Sequence, residues 1–212
     1  MRYRRLARRV ATGASWLPYA AAMFAPDRYV AALWFAAARH HGQTVPGTER
    51  PYLVHVTSVA AEVIAALPGS GLDADLAVVC ALLHDTLEDT AGSDGERREL
   101  ADDLADRFGP AVRDGVAALS KRDRDDDGAP IAKADRMADS LRRIREQPHA
   151  VWAVKLADRI TNLAPPPPHW PLAKCAAYRA EAQVIVDALA DASPALAARL
   201  RARIASYARY GG

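Results

Sequence analysis

Residues 81–90 read ALLHDTLEDT. Within six positions of this otherwise apolar segment lie five groups able to bind a metal or a proton: His84, Asp85, Glu88, Asp89 and, more weakly, the Thr86 hydroxyl. Ionisable side chains almost never sit buried unless they are paired, hydrogen-bonded or bound to a metal. A fold that buries the leucines around them must therefore give these groups partners, or lay them along a wet surface.

The flanking sequence reads as helix after helix. Apolar residues recur at helical spacing over 27–41, a stretch that ends at Gly42, and again over 52–67, where PGSG stops the pattern. Asp73 is a suitable N-cap for a third helix running to about Thr90. Further helices are predicted over 96–108, 110–119, 131–147, 149–163, 171–191 and 194–208. Their breaks fall at Gly109-Pro110, the acidic run 123–128, Pro148 and the tract PPPPHWP. No alternating run rich in β-branched residues is long enough for a strand, and no internal repeat is visible. The expected fold class is all-α, a bundle of eight or nine helices.

Composition permits this. Half of the 212 residues are apolar, enough for a sizeable core, and the net charge of +2 gives no strong field for nucleic acid or membrane. Cys80 and Cys175 lie far apart in apolar contexts and read as reduced core thiols of a cytoplasmic protein. The N-terminus, MRYRRLARRV, is strongly basic, and residues 10–26 carry no charge. Thr12, Gly13, Ser15 and Pro18 interrupt that run, which is short for a span of about 20 residues. Residues 1–26 are therefore expected to be an amphipathic extension without stable membrane insertion, and 27–212 the domain proper.

On a helix through 76–89, Leu76, Val79, Cys80, Leu83 and Leu87 form one apolar stripe. His84, Asp85, Glu88 and Asp89 then fill the adjoining face, with residues four apart as neighbours. An exposed acidic helix end is the ordinary explanation of such acids. A His-Asp pair flush against the stripe favours a metal. A second element, VWAVKLADRITNL over 151–163, is apolar around most of its circumference, yet it carries Asp158 and Asn162 on one face beside Lys155 and Arg159. An internal ion pair would barely offset its own desolvation; a metal supplies a stronger reason. A third element, ERPYLVHV over 49–56, brings His55 among valines and leucine. His55, His84, Asp85 and Asp158 together make a His2Asp2 set, suited to Mn2+, Fe2+, Zn2+ or Co2+ with positions left for water and a phosphate oxygen.

These motifs, PYLVH, ALLHDTLEDT, RFG and VKLADRITNL in that order, resemble the HD-domain metal phosphohydrolases, and within them the hydrolase domain of the RelA/SpoT family. The length suits the free-standing small alarmone hydrolases of that branch. The resemblance implies an all-α HD fold holding one divalent metal, typically Mn2+, on His55, His84, Asp85 and Asp158. It implies that Glu88 and Asp89 orient and deprotonate the attacking water, and that Asn162 helps hold the substrate. The implied reaction removes pyrophosphate from the 3′ position of (p)ppGpp. Lys121, Arg159, Lys174 and Tyr178 are candidates for substrate contacts, with Lys155 a further cation. Each has an ordinary alternative as a surface lysine, a core tyrosine or an acid's partner.

One departure stands out. Where alarmone hydrolases carry an Arg-Lys pair that cradles guanine, this chain has Thr44 and Val45, with only Arg50 nearby. A phosphohydrolase for another nucleotide, such as NADPH or a nucleoside monophosphate, is thus an alternative, as is a nucleotide-binding regulatory module without turnover. His40 is expected at the pocket rim or behind it, with a plain helix-end histidine as the alternative. A small-molecule nucleotide is the expected partner, nucleic acid is not, and an oligomer is compatible with the sequence. The alternating Asp123, Asp125 and Asp127 mimic the start of a calcium loop, but the closing Glu is absent, so a solvated loop is expected.

Overall fold

Helix boundaries follow the local chemistry. In a computed structural model of the chain, residues 23–125 and 128–211 are described. Pro26 opens α1 (Pro26–Arg39), where its missing N–H costs nothing. After α2 (Leu53–Ala66), the Asp73 side chain accepts from the Leu76 amide at 3.0 Å and caps α3 (Ala74–Leu83). A four-residue α4 (Thr86–Asp89) follows. Ser93 caps α5 (Asp94–Phe108), while Glu96 reaches back to the Gly92 amide at 2.7 Å. Gly109, at φ 96°, turns the chain from α5 into α6 (Pro110–Leu119), a conformation that a side chain would oppose.

Helices α7 (Arg136–Arg145), α8 (His149–Asn162), α9 (Leu172–Leu189) and α10 (Pro194–Tyr207) complete the bundle. Among the described residues there are nine helices of ten or more residues, the four-residue α4 and no strand. The fold is all-α, as expected. The helix expected over 131–147 is shorter, and residues 1–22 of the expected extension lie outside the described residues.

Helix α3 is the hub, packed by α1, α2, α6 and α8. Every residue from Leu76 to Leu83 is buried. This corrects the expected one-sided stripe: the segment has no polar side chain between Asp75 and His84, so it can be surrounded on all sides. Burying each leucine here contributes roughly 1.5–3 kcal/mol. Helix α6 approaches closely because residue 115 is glycine. A Cβ there would meet Cys80 Sγ and Val151 Cγ2, both at 2.9 Å.

The expected continuous helix to Thr90 is also corrected, because α3 ends at Leu83. The Thr86 hydroxyl donates to the Leu83 carbonyl at 2.7 Å, and the His84 ring binds the Ala81 carbonyl at 2.9 Å. Side chains thus take the carbonyls that a continuing helix would use. The break brings His84 and Asp85 to the buried end of the hub.

Candidate metal centre and its acidic rim

Three helices converge on this break. His55 comes from the first turn of α2, Asp158 from the buried face of α8, and His84 and Asp85 from the end of α3. The two imidazoles face each other with Nε2 atoms 3.3 Å apart. Asp85 Oδ2 lies 2.8 Å from His84 Nε2 and 3.5 Å from His55 Nε2. Asp158 Oδ1 lies 3.5 Å from His55 Nε2 and 3.8 Å from His84 Nε2. His55, His84 and Asp158 each offer a donor atom within 4.8 Å of the others.

A second ring of contacts aims these donors. A carbonyl only accepts, so His84 Nδ1 carries a proton for Ala81 and leaves Nε2 toward the cluster. The Tyr52 hydroxyl donates to Asp85 Oδ2. Lys155 Nζ binds Asp158 Oδ2 at 3.1 Å, and the Asn162 amide donates to Asp158 Oδ1. Lys155 is therefore a partner of the acid on its own helix.

The donor set fits a divalent cation. Ligands about 2.1 Å from one ion stand roughly 3 Å apart when mutually perpendicular, close to the spacing of the two imidazoles. The imidazoles and carboxylates of the cluster shift one another's proton affinities. Burial opposes charge on His55, but hydrogen bonds to Asp158 and Asp85 outweigh it and push the group up to about 9. Burial likewise opposes charge on His84, and Asp85 reverses the balance upward. Asp85 is held well below the usual carboxylate range: burial resists, and His84 and His55 overcome it. Asp158 is depressed too, since Lys155 and the imidazoles outweigh its desolvation.

The acidic pair sits beside this cluster, and its members are differently employed. Both oxygens of Glu88 are taken by Lys121, Oε2 by the backbone amide at 2.8 Å and Oε1 by Nζ at 3.0 Å. Asp89 accepts from Gln43 Nε2 at 2.8 Å and is exposed to solvent. Partial desolvation and the neighbouring Asp85 and Glu88 charges raise its carboxyl above the ordinary value. Gln43 Oε1 accepts from the buried His40 Nδ1 at 2.7 Å, and the His40 ring lies against Tyr52. His40 thus stands behind the rim.

Arg159, Lys174 and Tyr178 form a separate aromatic-cationic group. The Arg159 guanidinium stacks 4.5 Å over the Tyr178 ring, and its Nη2 is 3.5 Å from Glu181. Its Nε and Nη1 are buried without a hydrogen-bond partner. Lys174 Nζ lies 3.9 Å over the Trp170 ring, which meets Tyr178 edge-on. Sequence reasoning missed the hydrogen bonds of Gln43 and Tyr52. Tyr52 carried a signal, since it lies three residues before His55; Gln43 carried none.

Comparison with known proteins places the fold. Residues 32–193 match the family described as "HD domain". The chain belongs to the HD-domain family. This HD domain is 36% identical over 135 residues to a Myxococcus xanthus GTP pyrophosphokinase, covering 61% of the chain and 16% of that protein. It is 30% identical over 131 residues to a guanosine-3′,5′-bis(diphosphate) 3′-pyrophosphohydrolase of Aquifex aeolicus (strain VF5), covering 60% of the chain and 16% of that protein. The match thus spans only 16% of either curated relative. The fold superposes with a TM-score of 0.66 on a solved structure of a metazoan SpoT ortholog, reported to hydrolyse ppGpp and to play a role in starvation responses. That match is 24% identical and covers 84% of this chain and 94% of the other. No helix among the described residues is long and apolar enough to cross a membrane.

Proposed function

We propose that this HD domain is a divalent-metal-dependent hydrolase, with Mn2+ as the resident ion, that removes the 3′-pyrophosphate from (p)ppGpp or a related nucleotide. The observation that carries this is the His55–His84–Asp85–Asp158 cluster, its His84 and Asp158 buried, with Glu88 and Asp89 one helical turn beyond it. The names of the curated relatives support the substrate class.

In this mechanism His55, His84, Asp85 and Asp158 hold the metal. A bound divalent ion polarises a phosphoryl oxygen and lowers the pKa of water. Asp89 takes the proton of the attacking water: among the described residues its carboxylate has a single side-chain donor, and its proton affinity is raised, which suits a general base. Glu88 keeps Lys121 in place, where the ammonium offsets charge growing on the phosphate. Asn162 fixes Asp158 and borders the substrate. Arg159, with two buried unpaired N–H groups, and the Lys174–Trp170–Tyr178 wall would meet the rest of the nucleotide.

A specific observation favours a second base specificity. Thr44 pairs with Pro51 in an isolated bridge and Val45 packs on the core, so neither position offers a cationic cradle for guanine. A phosphohydrolase for another nucleotide uses the same metal and acids. The deciding experiment is product analysis after incubating metal-free protein with ppGpp, with and without Mn2+. GDP and pyrophosphate appearing only with the ion are expected. Mn2+-dependent release from a different nucleotide in a panel would replace the substrate. Bound metal with no turnover of any nucleotide would replace the enzyme by a binding module.

A further inference from the structure

A cavity of about 470 Å3 opens behind the acidic rim, between α5, α6 and α7. Its size is that of a small-ligand pocket. Six cationic side chains line it: Arg97, Arg98, Lys121, Arg122, Arg142 and Arg143. Among the described residues only two carboxylates, Asp114 and Glu146, do so, and both are already engaged. Asp114 pairs with Arg113 at 2.8 Å, and Glu146 pairs with Arg142 at 2.8 Å.

Four of the six cations are already paired, Lys121 with Glu88, Arg142 with Glu146 and Asp139, and Arg122 and Arg143 with Asp139. Arg122 and Arg143 are anchored on Asp139, and Arg143 also caps the end of α6 through the carbonyls of Ala117, Ala118 and Ser120. They form a fixed positive wall. Arg97 is half-buried, Arg98 is exposed, and neither side chain has a hydrogen-bond or ion-pair partner among the described residues. The same cavity is walled by apolar groups, Leu87, Ala101, Ala117 and Ala118. The free guanidiniums of Arg97 and Arg98 suit the oxygens of a phosphate, which guanidinium binds in bidentate fashion, and the anchored pair adds positive charge beside them. The apolar wall suits a flat ring attached to it. The cavity reaches the candidate catalytic rim only through Lys121, while the clustered His and Asp donors lie outside its lining.

We propose that this cavity is a second ligand site, separate from the metal centre, that binds a phosphate-bearing nucleotide. The assignment does not depend on turnover. The test is calorimetric titration of the metal-free full chain with GDP, and separately with inorganic pyrophosphate. GDP binding is expected, weakened at least tenfold when Arg97→Ser and Arg98→Ser are combined and little changed by Asn162→Ala beside the metal centre. The double variant breaks no side-chain bond among the described residues, so its melting temperature should match the parent; Arg98→Glu alone should weaken binding in the same direction. No GDP binding, an unchanged affinity in the double variant, or a loss produced instead by Asn162→Ala would overturn the proposal. Pyrophosphate binding as tightly as GDP would overturn the nucleotide assignment, because the apolar wall would then contribute nothing. Failure of the proposed hydrolysis would leave every one of these outcomes readable.

Discussion

Asp89 and Glu88 are adjacent acids with different surroundings, and their substitutions should separate. Asp89→Asn removes the proposed base and should lower turnover by at least a hundredfold with metal content, measured by elemental analysis, unchanged. Glu88→Gln should release Lys121 and mainly weaken substrate binding, seen as a raised KM. Retention of full activity in both would remove the acids from the mechanism. Away from the site, Asp139 accepts hydrogen bonds from Arg122, Arg142 and Arg143. Arg122 and Arg143 hold its carboxyl well below the usual range, against the cost of burial. The native state therefore binds this proton less readily than the unfolded chain, whose aspartates titrate near 3.9. The stability from Asp139 is present above that value and is lost as pH falls toward the depressed native value. Asp139→Asn should cost about 2 kcal/mol at pH 7 and flatten the loss of stability below about pH 4, measured by urea unfolding.

At the scale of elements, the contact of α6 with α3 and α8 rests on one missing methyl group. Gly115→Ala would press a Cβ against Cys80 and Val151 at 2.9 Å and should destabilise by roughly 1–3 kcal/mol, visible as a lower urea midpoint with an unchanged slope. The break after α3 is the second critical element. Thr86→Val keeps the shape but removes the bond to the Leu83 carbonyl, leaving a buried acceptor unsatisfied at a cost of about 1–3 kcal/mol. Because that bond sets the turn carrying His84 and Asp85, metal affinity should fall in the same variant. An unaltered metal titration would show that the turn is held by other contacts.

For the whole molecule, the cluster adds metal ligation to the apolar packing that already joins α2, α3 and α8. Chelation should therefore lower the melting temperature, and Mn2+ should restore it. At a hundredfold excess over its dissociation constant the ion adds about 2.7 kcal/mol, or roughly 5–10 °C for a chain of this size. Differential scanning fluorimetry with and without chelator measures it. A melting temperature indifferent to the ion would remove the metal from the fold.

Much of this was legible in sequence, for local reasons. Asp73, Ser93, Gly109 and the prolines act within a few residues of themselves, so the helix ends they specify could be read without knowing the partners. His55, His84, Asp85 and Asp158 were readable as one set because ionisable groups in apolar segments need a partner. The path of the chain through 84–89 was not readable. A regular helix and a broken one have the same spacing, and only packing on all sides of α3, with Thr86 and His84 bonding to its last carbonyls, decides for the break. The unequal employment of Glu88 and Asp89 was equally hidden, because Lys121 and Gln43 reach them from 33 and 46 residues away. Residue types and periodicity determined the helices and the donor set. Tertiary packing decided which acid is paired, which is left to act and where the unbalanced positive charge gathers, because long-range contacts set those charge balances.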